Sequence, residues 1–591
     1  MLLNSAASLS PRSVRRQGLN RCAGNHRGRP CAASGSNVPA KATTDDRLRP
    51  DWAPNQTAAR GCSQPRELRI FPRKQPNNHR SQCVCTQLRR EGTGATDPLW
   101  DTAQQEPVMS NAALDFSSVR TNLDLDVASV FAERESERYA LHVRYMNEMM
   151  VRVLRTIGYD VGFRSGKGPY LFDSAGARYL DLLSGWGVFG IGRNHPRLRE
   201  ALASVLASDF PNLVQMDVSP LAGVLAERLL GYTPFLEKVC FANSGSEAVE
   251  ASVKFARKAT GRAGLVYCAH AFHGMSFGAL SVSSETIFRD GFGPLLPNCF
   301  CIPFNDLAAL EHALAPRQTA AFIVEPIQGK GVNVPDDSYL AGVQHLCRKY
   351  GTLFIADEIQ TGLGRTGRFL AIDHWGVEPD MVLVSKTLSG GHVPVAAVLA
   401  RKWILDKVFD RMERAVVHGS TFAANDLAMA AGIATLDILE SERLTENAAR
   451  LGARLLAFFA AMAPRYEMIS DVRGKGLMIG VEFGRPRSLK LQAAWHLLEA
   501  VNKGLFCQLI TLPLFKDHKI LVQVAGHASH TVKLLPSLVI TDEDCDWIER
   551  SFEDVIADSH RVPGAVWSLG KTLADHALKA RGDHDFSHSS S

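Results

Sequence analysis

In "MVLVSKTLSGG", residues 381–391, a run of strand-forming residues ends at Lys386 and a glycine pair follows soon after. A lysine at a strand end commonly lays its stem on the core and its ammonium in water. The alternative is Schiff-base chemistry, which needs a partly desolvated amine that can be neutral and nucleophilic. Two other stretches bear on the choice. In "FANSGSEAVEASVKFARKATG" the tight turn Asn243, Ser244, Gly245, Ser246 runs into a helix from about Glu247. Free N–H groups, hydroxyls and the positive end of the helix dipole suit a phosphate, although Ser-Gly-Ser before a helix often serves only as a cap. The turn has neither the Walker pattern nor the dinucleotide glycines. In "LFIADEIQTGLGRTGRF" a strand ends in Asp357-Glu358, with Gln360 shortly after. A carboxylate there can merely cap the next turn. Phosphate cradle, carboxylate and lysine together, however, are what pyridoxal 5'-phosphate requires: donors for its phosphate, an acid that keeps its ring nitrogen protonated, and an amine for its aldehyde. "HAFHG", with Phe272 and His273, adds a flat side chain to stack on the ring.

These residues share one edge only if the chain forms a particular kind of sheet. From Val239 onward, apolar runs ("VCFA", "GLVYCA", "AAFIVEP", "TLFIADE", "MVLVSK", "PVAAVLA") alternate with amphipathic stretches such as 247–260 and 337–350. Continuous apolar strands separated by helices predict an α/β fold with a mostly parallel sheet covered on both faces. In such sheets ligands sit at the carboxyl ends of the strands. The flanks differ: 168–183 predicts a hairpin turning at Ser174-Ala175-Gly176, 421–464 is mostly helical, and 473–483, "RGKGLMIGVEF", turns into a strand. The expected organisation is a basic tail over 1–108, an N-terminal segment 109–190, a large domain 191–420, a C-terminal part 421–560 and a second tail 561–591. Segments 109–190 and 421–560 together form a smaller α+β domain built from both chain ends.

Composition narrows the class. The chain of 591 residues is 46% hydrophobic, enough for a large core, and no apolar run approaches the length of a membrane helix. The net charge of +5 resides in the tail: residues 1–108 hold 17 Lys or Arg against 8 Asp or Glu, which leaves the remainder at −4. That tail lacks a helical or strand period and reads as disordered, either a working segment or an over-extended start before Met109. No aromatic-basic pattern supports nucleic-acid binding. The 12 cysteines form no framework, and neither Cys83-Val-Cys85 nor Cys299-Phe-Cys301 has metal-ligand spacing, so reduced thiols in a cytoplasmic compartment and no bound metal are expected.

The stretches "NSGSEAVEAS", "AFHG", "VEPIQG", "ADEIQTGLGRTG", "SKTLSGG" and "HGSTFAAND" stand in the order and spacing of the class-III aminotransferases. The chain resembles that family, of the ornithine, acetylornithine and ω-amino acid type and of pyridoxal-phosphate fold type I, from about residue 125 to 557. The resemblance implies that Lys386 forms the internal aldimine and later shuttles the proton, Asp357 pairs with the pyridine nitrogen and Gln360 contacts the ring hydroxyl. It further implies that Gly245 and Ser246 hold the phosphate, Phe272 covers the ring, and Thr421 reaches the phosphate of a neighbouring subunit in a homodimer or larger assembly. The implied reaction moves an amino group from an amine or amino acid to a 2-oxo acid or aldehyde. Aminomutase, racemase and non-catalytic relatives share the scaffold.

Two positions depart from the pattern. Relatives carry glutamate after "EPIQG" and arginine in the C-terminal strand, a pair that parts when a 2-oxo acid takes the arginine; here the positions hold Lys330 and Lys533. Two lysines with no acidic partner between them are expected to favour a carboxylate-bearing substrate in one half-reaction. Trp186, where relatives use tyrosine, suggests an apolar mouth for the other substrate, an amine or aldehyde on a longer carbon chain; its plainer reading is a core tryptophan.

Overall fold

Three short strands open the fold: β1 (Phe163–Lys167), β2 (Tyr170–Asp173) and β3 (Arg178–Asp181), antiparallel and reversing at the expected Ser174-Ala175-Gly176 turn. The structure is a computed structural model and describes residues 126–567, apart from 215, 502–504, 528, 562–563 and 565–566. The expectations for the tail 1–108, and for 109–125 and 568–591, lie outside the described residues.

Seven strands then form the central sheet: β4 (Lys238–Ala242), β5 (Gly264–Cys268), β6 (Cys299–Ile302), β7 (Thr319–Val324), β8 (Leu353–Asp357), β9 (Met381–Val384) and β10 (Ala396–Ala400). Their spatial order is β4-β10-β9-β8-β7-β5-β6. Neighbours from β9 to β6 are parallel, while β10 is antiparallel to both β9 and β4. Six of the seven strands therefore run the same way, and the carboxyl ends of β4, β5, β7, β8 and β9 meet at one edge.

Successive side chains of a strand point to opposite faces, and here both faces are buried. Phe354, Ala356, Val382 and Val384 enter one apolar core; Leu353, Ile355, Met381 and Leu383 enter the other. The helix Gly245–Thr260 covers the second face with Ala248, Ala251, Ser252 and Phe255, spaced three or four apart. Ser244 caps it, its Oγ accepting from the Glu247 N–H at 3.2 Å, and Gly261 ends it in the left-handed conformation at φ +69°. Phe255 is fully buried in this contact, so its truncation to alanine costs about 3–5 kcal/mol.

The C-terminal part adds the helices Asp426–Ser441 and Leu444–Met462 and a sheet of β11 (Ile469–Lys475), β12 (Met478–Phe483), β14 (Gln523–Val524) and β15 (Thr531–Leu534). Between β12 and β14, β13 (Ile520–Leu521) joins the N-terminal sheet by pairing in parallel with β3. The stretch expected to turn into one strand at 473–483 is instead the hairpin of β11 and β12, because Gly476 at φ +53° reverses the chain. Among the described residues no helix is long and apolar enough to cross a membrane.

Candidate active site

Lys386 follows the fully buried strand β9, opens the short 3-10 turn Lys386–Ser389, and takes φ +41°, a left-handed value that a lysine rarely adopts. Such a conformation costs on the order of 1–3 kcal/mol and persists only where its surroundings hold it. The adjacent Thr387 supplies one hold, its Oγ1 donating to the Gly187 carbonyl at 2.9 Å. Burial pushes the Lys386 ammonium below the ordinary lysine value, against the opposing pull of Asp357 and Glu325. The amine is thereby moved toward the neutral, nucleophilic form.

Asp357 ends β8, the next strand. Its Oδ2 lies 2.6 Å from His273 Nδ1, and its Oδ1 accepts the Ile359 N–H at 3.1 Å. Burial works against a charged His273, but the hydrogen bond and charge of Asp357, together with the charge of Glu325, raise the imidazole above its ordinary value. The buried Nε2 of His273 has no hydrogen-bond partner among the described residues. Phe272, beside it, donates its N–H to Glu325 Oε1 at 3.0 Å.

The turn after β4 places the N–H groups of Gly245 and Ser246 at the start of their helix, where no intrahelical acceptor exists. Ser246 Oγ accepts from the Met275 N–H at 3.2 Å. Gly274, at φ +132°, lets that backbone approach, for a Cβ there would run into Ser246 Oγ. Asn243 Nδ2 donates to Ser420 Oγ at 2.7 Å, so the loop that carries the exposed Thr421 runs close to the same turn.

The substrate candidates differ from expectation. Lys330 does have an acidic partner: its Nζ is 2.8 Å from Glu285 Oε2, with the Phe288 and Phe272 ring centroids at 4.2 and 5.2 Å. Lys533 is only 4% exposed, and its Nζ donates to the Gly329 carbonyl at 2.8 Å and to Gln360 Oε1 at 3.1 Å. Burial, with Lys386, Arg365 and Lys330 adding to it against Glu325, pushes Lys533 down to about 7. Gln360 faces the opposite way with its other end, Nε2 donating to the Trp186 carbonyl at 3.0 Å. Trp186 is no core tryptophan: it is 60% exposed, in a turn where Gly185 and Trp186 both lie near φ +60°.

The sequence reading did not single out Glu325, which directly follows β7, is buried, and is raised above the ordinary carboxylate value by burial. Its position at a strand tip was the available signal. It also missed Arg365, whose guanidinium donates to the Leu477 and Pro536 carbonyls and is pushed down to about 9 by burial.

The donor set fits pyridoxal phosphate. Helix N–H groups and hydroxyls suit the phosphate, Asp357 keeps acceptor capacity for a protonated ring nitrogen, and Lys386 supplies the amine. Among the described residues no cluster of His, Cys, Asp and Glu could hold a metal.

Comparison with known proteins agrees. The pattern of the family described as aminotransferase class-III matches residues 158–556. Aminotransferase PigE of Serratia sp. is 34% identical over 445 residues, 70% of this chain, which spans about half (52%) of that longer protein. Ornithine aminotransferase of Bacillus cereus is 38% identical over 407 residues, 66% of this chain and 93% of the relative. The crystal structure of the ornithine aminotransferase of Toxoplasma gondii superposes with a TM-score of 0.62 at 30% identity, covering 75% of this chain and 98% of that one. An amine transaminase from an uncultivated Pseudomonas species, solved in its pyridoxal-phosphate-bound form, gives 0.58 at 29%, over 67% and 94%. Matched over most of its length and built on the fold-type-I sheet, the chain belongs to the class-III aminotransferases, whose cofactor is pyridoxal 5'-phosphate.

Proposed function

We propose that this protein transfers an amino group from an amine or amino acid to a 2-oxo acid or aldehyde, with Lys386 as the amine that engages the cofactor's aldehyde. The observation that supports this most is the arrival of Lys386, Asp357 and the Gly245 helix start at one sheet edge from three separate strands. When bound, pyridoxal phosphate supplies a cationic ring that delocalises the electrons left on carbon when a proton is removed.

The chain's own groups do the rest. Ser244, Gly245 and Ser246 fix the phosphate by N–H and hydroxyl donation, and Phe272 covers the ring. Asp357 would accept from the ring nitrogen, and His273 keeps that carboxylate oriented by donating from Nδ1. Lys386 Nζ would hold the cofactor's aldehyde and, with burial lowering its proton affinity, would serve as the base that moves the proton of the amine-bearing carbon. A carbonyl substrate then runs the sequence backward.

The assembly we infer is a homodimer in which Thr421 completes the partner's phosphate site, supported by the exposed Thr421, Val416 and Phe422 on one loop region. Free thiols among the described residues support a cytoplasmic setting. The test is reduction with borohydride: purified protein should be yellow, and reduction should fix the chromophore to Lys386. Lys386→Ala should bind cofactor without transaminating. Protein that stays colourless with added pyridoxal phosphate would overturn the assignment.

A further inference from the structure

Glu325 stands between two loops of the site. The strand it follows, β7, lies between β8 and β5 in the sheet, so its carboxylate meets the loop that leaves β5 on one side and the loop it opens itself on the other. Oε1 accepts the Phe272 N–H at 3.0 Å, and Oε2 accepts the Gly329 N–H at 2.7 Å. Gly329 in turn lends its carbonyl to Lys533 Nζ at 2.8 Å. A Cβ on Gly329 would meet Gln360 Oε1 at 2.7 Å and Glu325 Oε2 at 3.0 Å, so this backbone is pressed against both side chains. An amide has one accepting end and one donating end, and only a carboxylate accepts at both. Gln328 adds a separate tie, its Nε2 donating to the Ala269 carbonyl at 2.7 Å, which keeps the two loops together when Glu325 is changed.

The neighbouring charges give Glu325 a second task. Strands β7, β8 and β9 are successive neighbours, so Glu325, Asp357 and Lys386 leave one edge side by side. Asp357 is engaged by His273 at 2.6 Å, and Lys330, from the loop after β7, is engaged by Glu285 at 2.8 Å. Glu325 belongs to no ion pair among the described residues, and its two backbone N–H contacts favour the ionised form. Its charge opposes the burial that strips protons from Lys386 and Lys533. We propose that Glu325 is a positioning residue with two effects: it ties the loop of Phe272, which covers the ring, to the loop that holds Lys533, and its negative charge keeps a proton on the Lys386 nitrogen. This rests on the aminotransferase reading above and adds a residue to the machinery of that site.

The test uses Glu325→Gln, which keeps the size but removes the charge and one acceptor, and Glu325→Asp, which keeps the charge but shortens the reach. Hydrogen exchange of the full chain without cofactor, resolved to single amides, should find Phe272 and Gly329 protected in wild type. At least one of the two should exchange about tenfold faster in each variant, the scale of one hydrogen bond. Fast exchange at both amides in wild type would overturn the tie, whatever the variants do. The pH at which the bound chromophore changes colour reads the charge. Its midpoint should fall by about one unit in Glu325→Gln, where the proton has lost a nearby anion, and stay close to its wild-type value in Glu325→Asp. A loosened loop alone would move both variants alike, so an equal shift in the two, or none in either, would overturn the electrostatic effect. Wild-type protein that forms no chromophore with added pyridoxal phosphate would overturn the aminotransferase reading instead, while exchange at Phe272 and Gly329 still decides the tie.

Discussion

His273 Nδ1 and Asp357 Oδ2 lie 2.6 Å apart with both side chains buried, and Asp357 raises the imidazole above its ordinary value despite burial. The contact keeps one carboxylate oxygen aimed while the other accepts from backbone. Asp357→Asn keeps the shape and removes the charge that a protonated ring nitrogen needs. Its transamination rate should fall by about two to four orders of magnitude, while His273→Gln, which can still donate, should lose much less. Steady-state rates of both variants at saturating cofactor check this, and equal losses would contradict it.

Gly274 sets the distance between the "AFHG" backbone and the phosphate turn. Gly274→Ala forces a Cβ into Ser246 Oγ at a backbone φ of +132°. Cofactor affinity, measured by absorbance titration of cofactor-free protein, should weaken about tenfold or more, the scale of one charged hydrogen bond. Ser246→Ala, which removes the clash partner's hydroxyl without strain, should weaken it by a smaller factor.

Thr421 is exposed and its loop reaches Asn243 through Ser420. Sedimentation should show a dimer, and mixing Lys386→Ala with Thr421→Ala subunits should restore activity, because each mixed dimer then holds one site with both residues intact. Full activity in a sedimenting monomer would remove the shared-site proposal.

Lys533 gives a pH dependence with a definite sign. In the unfolded chain it keeps its proton up to the ordinary 10.5, whereas burial beside Lys386 brings it to about 7 in the fold. Between those values the unfolded state binds more protons, so this residue's contribution to stability rises with pH. The melting temperature of wild type minus that of Lys533→Met should therefore climb from pH 7 toward pH 10. A flat difference would show that the amine titrates normally.

Much of this site was legible because an α/β sheet gathers its strand ends. Lys386, Asp357 and the Gly245 turn each close an apolar run, and direction plus burial places them together. Glu325 closes a run in the same way and was open to the same logic. Glu285 was not: it reaches Lys330 from just before a short helix, through a contact no local pattern encodes. The exposure of Trp186 depends on four consecutive positive-φ residues, Ser184–Gly187, which sequence marks only at the two glycines. The reversal of β10 was likewise hidden, since an apolar run buried on both faces reads the same in either direction.

That reversed strand bears on the order in which the molecule can be completed during synthesis. β4, which carries the phosphate turn, lies at the margin of the sheet with β10 as its neighbour there, and β10 leaves the ribosome after every other strand of that sheet. Until Ala396–Ala400 has emerged, β4 has no strand to pair with and the turn at Gly245 has no fixed place relative to Lys386. Loading of the cofactor is thus a late event on the nascent chain, and a chain arrested before Ala396 should expose β4 to chaperones rather than hold pyridoxal phosphate.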